Sequence, residues 1–234
     1  MTLPEFTSSL LNIARGSNIS QSEKISERRL RDYIHSYRAL LIRQRLNKGE
    51  TIDDAWIQWL NCQELSIVDR AECPTGIPTS GHTVLKMDSV LPGVVKGSNS
   101  DGLLFAGTVD GKPYQISSST RAYYNKYRPL TKCDAQVYPK GDYLYVTGKP
   151  GLKYISIGGI WDNPEDLYTY INSCSATVCY DINTDKYPVS IDMIPVITEM
   201  IFKNELGVEL GMPSDKNNDE RNLATPNALG VKNS

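Results

Sequence analysis

SERRLRDYIHSYRALLIRQRLNKG, residues 26–49, reads as a single long helix. Ser26 offers a side-chain oxygen to the first free backbone N–H groups, and Gly49 suits the left-handed backbone that ends a helix. Between them Leu30, Tyr33, Ile34, Tyr37, Leu40 and Leu41 recur at three- and four-residue spacing, which marks one apolar face. From Ser26 to Lys48 such a helix is roughly 34 Å long at 1.5 Å per residue. The same stretch carries Arg28, Arg29, Arg31, Arg38, Arg43, Arg45 and Lys48 against only Glu27 and Asp32. At 100° per residue, Arg28, Arg31, His35, Arg38 and Arg45 share a flank beside the apolar face. Two readings of Arg28, Arg31, Arg38 and Arg45 stay open: a solvated flank, or a surface that meets an acidic neighbouring subunit or DNA.

On the N-terminal side, Thr2-Leu3-Pro4-Glu5 has the form of a capping box, with Pro4 in the first turn. Leu3, Phe6, Leu10, Ile13 and Ala14 then predict a short amphipathic helix ending near Gly16. On the C-terminal side, DDAWIQWL (Asp53–Leu60) predicts another short helix with Trp56, Trp59 and Leu60 inward. After Leu65 the punctuation changes to short apolar or alternating runs separated by Gly, Pro, Asn and Asp. These predict strands near Leu65–Cys73, Thr83–Leu91, Leu103–Val109, Tyr114–Ser118, Ala135–Tyr138, Tyr143–Thr147 and Tyr154–Ile160. Asp110-Gly111 and Lys140-Gly141-Asp142 sit where hairpin turns need positive φ. Short strands at this spacing imply an antiparallel sandwich or barrel.

Asp162-Asn163-Pro164-Glu165 opens a brief helix to about Ile171. Helical spacing returns at Ile191, Ile194, Ile197, Met200 and Ile201 and stops near Gly207 or Gly211. From Pro213 the chain is rich in Asn and Asp and brings little apolar surface of its own, so a partner chain is the agent expected to order it. The fold class that follows is α+β. N- and C-terminal helical segments (1–61 and 187–211) form a bundle, a β-rich domain (62–186) is inserted between them, and an extended arm (212–234) trails.

Composition excludes more than it assigns. With 25 Lys and Arg against 27 Asp and Glu, the formal charge of −2 creates no global field for nucleic acid or anionic lipid, so any basic patch is local. MTLPEFTSSL lacks the basic and apolar regions of a signal peptide, and no run approaches a membrane span, so a soluble protein made in the cytosol is expected. Five cysteines at unrelated spacings (Cys62, Cys73, Cys133, Cys174, Cys179) are expected to be free, mostly buried thiols. The 14 tyrosines against three Phe and three Trp suit half-exposed sheet faces and protein interfaces equally.

Catalytic material is scarce, and no enzyme, metal site or cofactor is expected. His35 and His82 are the two histidines, and no local signature pairs either with a cysteine. The chain has no C-x-x-C, H-E-x-x-H, P-loop or G-x-G-x-x-G pattern. Asp181-x-Asn183-x-Asp185 and Asp215-x-Asn217-x-Asp219 resemble the start of a calcium loop. Each lacks its sixth-position glycine and closing glutamate, so both read as turns. Asp53/Asp54 and Glu165/Asp166 read as helix-start charges. Tyr123, Tyr124 and Tyr127, interleaved with Arg121, Lys126 and Arg128, could serve as a stacking strip for nucleic acid or sugar, or as edge-strand protection. A carbohydrate- or receptor-binding β-domain is therefore the competing reading of function.

MTLPEFTSSLLNIARGSNISQSEKISERRLRDYIHSYRALLIRQ and PVSIDMIPVITEMIFKNELGVELGMPSDKNNDERN, taken as a pair, resemble the terminal blocks of virion structural proteins in crAss-like phages, which are short-tailed. The resemblance covers about a third of the chain and implies an adaptor-like head-to-tail connector or tail ring subunit in the virion. It further implies a homo-oligomeric ring of about twelve copies below the portal, around the channel through which DNA leaves. Its partners would be other copies of itself, the portal and neighbouring ring proteins, with transient non-specific contact to DNA. The implied arm runs from Met212 to Ser234, and its partner contacts are expected from Met212, Pro213, Asp215, Asn217, Asn218, Asp219, Arg221, Leu223 and Leu229.

Overall fold

Leu30, Ile34, Arg38, Ile42 and Leu46 lie buried along one side of the long helix at strict four-residue spacing, with a cation in the middle of the row. The structure is a computed structural model and describes residues 1–16, 26–68, 84–98, 102–125, 127–128, 130 and 134–206. The helix, α2 (Glu27–Lys48), has the expected ends: Ser26 Oγ accepts the Arg29 N–H at 3.2 Å and Gly49 closes it at φ 73°. Its inward face is turned from the one that apolar residues alone predict. Leu40 is exposed, while Tyr33, Tyr37 and Leu41 flank the core.

Helix α1 (Leu3–Gly16) starts in the expected capping box, the Thr2 N–H donating to Glu5 Oε2 at 2.8 Å and the Glu5 N–H to Thr2 Oγ1 at 3.4 Å. Leu3, Phe6 and Leu10 of α1 and Leu30 and Ile34 of α2 share one apolar core with Met193 and Ile197 from the C-terminal side. That side forms α4 (Met193–Met200), continued by a π-helical turn over Ile201–Glu205 that buries Ile201 and Phe202. Between these helices lies α3 (Ser119–Asn125), which packs elsewhere.

Seven strands build the other core: β1 (Gln58–Ile67), β2 (Val84–Met87), β3 (Leu103–Gly107), β4 (Gln115–Ile116), β5 (Gln136–Lys140), β6 (Tyr143–Thr147) and β7 (Tyr154–Gly159). They form one sheet in the order β3-β7-β1-β2-β6-β5-β4. Alternation sends Leu60, Leu65, Val137, Leu144, Val146, Ile155 and Ile157 inward. The first and last strands approach each other where the Tyr114 N–H donates to the Ala106 carbonyl at 2.8 Å and the Thr108 N–H to the Lys112 carbonyl at 3.0 Å. The result is a nearly closed, barrel-like sheet rather than a sandwich. One pairing departs from the antiparallel expectation: β4 and β5 run parallel, because the chain between them crosses outside the sheet through α3.

Asp53–Leu60 is not a helix. Only Asp54–Trp56 makes a 3₁₀ turn, with Asp53 Oδ1 accepting the Ala55 N–H, and β1 begins at Gln58. Gln58, Leu60 and Cys62 are buried while Trp59 and Asn61 are exposed, so period two wins over the Trp56–Leu60 spacing that suggested a helix. A boundary between residues 61 and 62 therefore falls inside a strand. A register shift between Leu60 and Gln63 then buries both Cys62 and Gln63. Cys62 is not a free thiol. It is disulfide-bonded to Cys174 on the hairpin formed by β8 (Ile171–Asn172) and β9 (Thr177–Val178), with the Cα atoms 5.8 Å apart, well inside the range a bridge requires. Cys179 is free, and Cys73 and Cys133 lie outside the described residues.

Asp181-x-Asn183-x-Asp185 is turn chemistry. Asp181 carboxylate oxygens accept from the Asn183 N–H and the Thr184 hydroxyl, and Asp185 Oδ2 accepts the Asp181 N–H. Closure of the sheet depends on a missing side chain at Gly107, where a Cβ would come within 2.3 Å of the Lys112 carbonyl oxygen. Gly107→Ala should push the β3–β4 hairpin apart and lower the unfolding free energy by about 2 kcal/mol, read from urea denaturation at unchanged m-value.

Candidate functional site

Arg38 was expected on an outward flank, and it is fully buried at 0 % exposure. Its Nε donates to the Pro188 carbonyl at 2.5 Å, Nη1 to the Trp161 carbonyl at 2.8 Å and Nη2 to the Trp56 carbonyl at 3.4 Å. The guanidinium also lies over the Tyr187 ring, 5.8 Å from its centroid. Burial pulls its pKa below the usual value, and neighbouring Tyr187, Tyr180 and Asp162 oppose that shift. A guanidinium nevertheless stays charged in proteins, so all its donors need acceptors. The three carbonyls come from three places where the chain passes between the two cores. Trp56 precedes β1, Trp161 follows β7, and Pro188 leads to α4. Adjacent residues Ile160 and Trp161 even point into different cores, the helical one and the barrel.

Other polar contacts reinforce this junction. The Trp56 indole N–H donates to Ser190 Oγ at 3.1 Å, and His35 Nδ1 lies 2.8 Å from the Tyr187 hydroxyl. The other ring nitrogen of His35 and the Arg31 guanidinium each lie 3.7 Å from Glu165. His35, then Arg31, hold the Glu165 carboxyl below its usual pKa against the opposing effect of its partial burial. Burial pushes the Tyr187 and Tyr180 hydroxyls up. Arg45 bonds Asp192, pairs with Glu50 at 3.8 Å and lies over the Trp56 ring. Its bond to Asp192 holds that carboxyl below the ordinary range. Of the four flank arginines, Arg28 stays exposed, Arg31 and Arg45 are half-buried in ion pairs, and Arg38 is interior. The carbonyl set at Trp56, Trp161 and Pro188 left no trace in the sequence. Arg38 itself did, as the one polar member of a four-residue row.

On the barrel's far side, α3 buries Ala122 against Tyr138 and Tyr145, whose rings stack at 5.7 Å. Tyr123, Tyr124 and Tyr127 pack edge-on or tilted against one another, with centroids 5.3–6.4 Å apart, so their faces are partly spent on each other. Tyr124, Tyr127, Arg121 and Arg128 remain exposed. Lys126, His82 and all of Met212, Pro213, Asp215, Asn217, Asn218, Asp219, Arg221, Leu223 and Leu229 lie outside the described residues. Among the described residues no three His, Cys, Asp or Glu side chains converge as a metal would require. The junction holds chain segments in place through Arg38, Trp56, His35 and Tyr187, while the Trp161 indole N–H, Asp162 Oδ1 and the Tyr180 hydroxyl are buried beside it without a hydrogen-bond partner among the described residues.

Residues 5–224 match the family described as phage tail ring protein 2. The chain belongs to this family of crAss-like phage tail ring proteins. The match spans both helical ends, the barrel and part of the segment beyond Met212. No curated protein matches the chain. Membership of a ring protein family makes the chain a structural part of the phage tail, which points away from enzymatic activity and puts it in the virion, in assembly with other tail proteins. No helix among the described residues is long and apolar enough to cross a membrane.

Two outcomes test the junction in this tail ring protein. Arg38→Met keeps the stem but strands three buried carbonyls, and should lower the unfolding free energy by about 4 kcal/mol. Arg38→Lys should still lose more than about 2 kcal/mol, because a single ammonium cannot span the fork. Calorimetry showing either variant as stable as the parent would contradict the junction. Glu165 has a folded pKa below its unfolded value of about 4.3, so its stabilisation is present above that pH and is lost as pH falls through the folded value. Glu165→Gln should accordingly lower the melting temperature at pH 7 and flatten its decline as the pH falls below the unfolded value of about 4.3.

Proposed function

We propose that this chain is a subunit of a closed homo-oligomeric ring in the phage tail, stacked below the portal around the DNA channel. The ring holds about twelve copies. The observation that carries this reading is the family match across residues 5–224. The N- and C-terminal helices act as a bundle (1–61 with 187–211) that carries the inserted β-domain (62–186). Residues 212–234 act as an extended arm that reaches the portal or a neighbouring ring protein, through Met212, Pro213, Asp215, Asn217, Asn218, Asp219, Arg221, Leu223 and Leu229. Tethered arms add avidity without a large interface, because the second contact is intramolecular once the ring has formed.

In the same reading, Arg28 and the exposed parts of Arg31 and Arg45 are what a partner subunit or DNA would meet on α2. A formal charge of −2 suits a channel through which DNA must pass, since strong phosphate binding would stall transit. Contact with DNA is then transient and non-specific.

The arm assignment is tested by a chain truncated after Gly211. Its thermal melting should match that of the full chain, while its incorporation into phage particles, measured by mass spectrometry of purified virions, should be lost. Normal incorporation of the truncated chain would contradict the assignment.

A further inference from the structure

Two stretches of the sequence are opposite in charge and matched in number. Gly49 to Asp69 contains five carboxylates (Glu50, Asp53, Asp54, Glu64, Asp69) and no Lys or Arg. Gly111 to Cys133 contains five cations (Lys112, Arg121, Lys126, Arg128, Lys132) and no carboxylate. Within a chain of formal charge −2 these are single-sign runs of sequence; in the fold Glu50 is paired with Arg45 of α2, which leaves Asp53, Asp54 and Glu64 as the exposed acidic set.

The fold sets the two patches apart. Asp53, Asp54 and Glu64 are exposed at the start and along the outer side of β1, around Trp59, which is 43 % exposed. Trp59 reaches across β7, over Gly158, to Phe105 of β3, with ring centroids 5.2 Å apart. The basic patch is carried by α3, outside β5 and β6, where Tyr124 is 57 % exposed, Tyr127 65 % and Leu130 95 %. Asp53, Asp54 and Trp59 lie at or just before the start of β1, whereas the cluster that holds α3 includes Val84 of β2 and takes in Val68, just past the end of β1. The two sets are therefore separated within one chain by the length of that strand, about 30 Å at 3.3 Å per residue.

Neither Arg121 nor Arg128 forms an ion pair among the described residues, and the same holds for Asp53 and Asp54. Tyr and Arg around a fully exposed Leu have the chemistry of a protein contact centre, and an aromatic pair edged by carboxylates is its complement. Different faces that fit one another produce head-to-tail association, which closes into a ring when the rotation allows.

We infer that the α3 face of one copy, through Arg121, Arg128, Tyr124, Tyr127 and Leu130, docks on the β1 face of the next copy at Asp53, Asp54 and Trp59. This contact rests on the ring reading above and names the faces that would make it. Charge complementarity fixes its register, and the aromatic and aliphatic groups supply its buried centre.

The contact is tested in assembled phage carrying a photo-crosslinking benzoylphenylalanine in place of Tyr124. Cross-links should map to the Gly49–Asp69 peptide of a second copy, identified by mass spectrometry of mixed isotope-labelled particles. Cross-links from Tyr124 to DNA or to a different tail protein, while other surface positions still link copy to copy, would overturn this contact and leave the ring intact. Absence of any copy-to-copy cross-link from every surface position tried would overturn the ring reading with it. Independently, Arg121→Glu with Arg128→Glu should lower incorporation into tails by about tenfold or more at unchanged melting temperature. Adding Asp53→Arg with Asp54→Arg should restore it to within about threefold, and failure to restore would overturn the pairing.

Discussion

A guanidinium removed from water must replace its lost hydration with acceptors, and Arg38 does so with three backbone carbonyls that belong to no single element. Each carbonyl sits where the chain leaves one core for the other. The helices and the barrel-like sheet are thus held by the desolvation cost of one charge. Opening the junction would strand both the cation and its acceptors, which makes partial opening expensive. Around it, Tyr187 touches the guanidinium with its ring and His35 with its hydroxyl, and its N–H donates to the Met1 carbonyl at 3.1 Å. The first residue of the chain is thereby tied to the same point.

A fixed junction has a consequence for assembly. A ring subunit that flexed between its two cores would present its surfaces at variable angles, and small angular errors accumulate around a closed ring. Holding the barrel at one orientation relative to the helices lets the surfaces of both point in constant directions. The near closure of the sheet serves the same end, since it leaves little unpaired strand edge to stray into other contacts.

Much of the local structure was legible from the sequence because it is governed by short-range chemistry. The Thr2–Glu5 capping box, the Ser26 and Gly49 ends of α2, the Asp181 turn and the positions of β3, β6 and β7 all follow from residues within a few places of each other. The misreadings share one cause, which is partners distant in sequence. Arg38 looked solvated because its acceptors lie at positions 56, 161 and 188. Cys62 looked free because Cys174 is 112 positions away. Trp59 looked inward because helical spacing from Trp56 competed with a strand whose pairing to β7 only the fold reveals. The row Leu30, Ile34, Arg38, Ile42, Leu46 was visible throughout, and a cation in an otherwise apolar four-residue row is the signal that would have identified the junction.

Native-state hydrogen exchange on the isolated chain tests most directly whether Arg38 makes the two cores one cooperative unit. The slowest amides of α2 and of β7 should then open with the same free energy and the same denaturant dependence, because neither core can unfold without releasing the guanidinium. If the α2 amides exchanged through a separate, lower-energy opening while β7 stayed protected, the two cores would be independent and the account of the junction would be wrong.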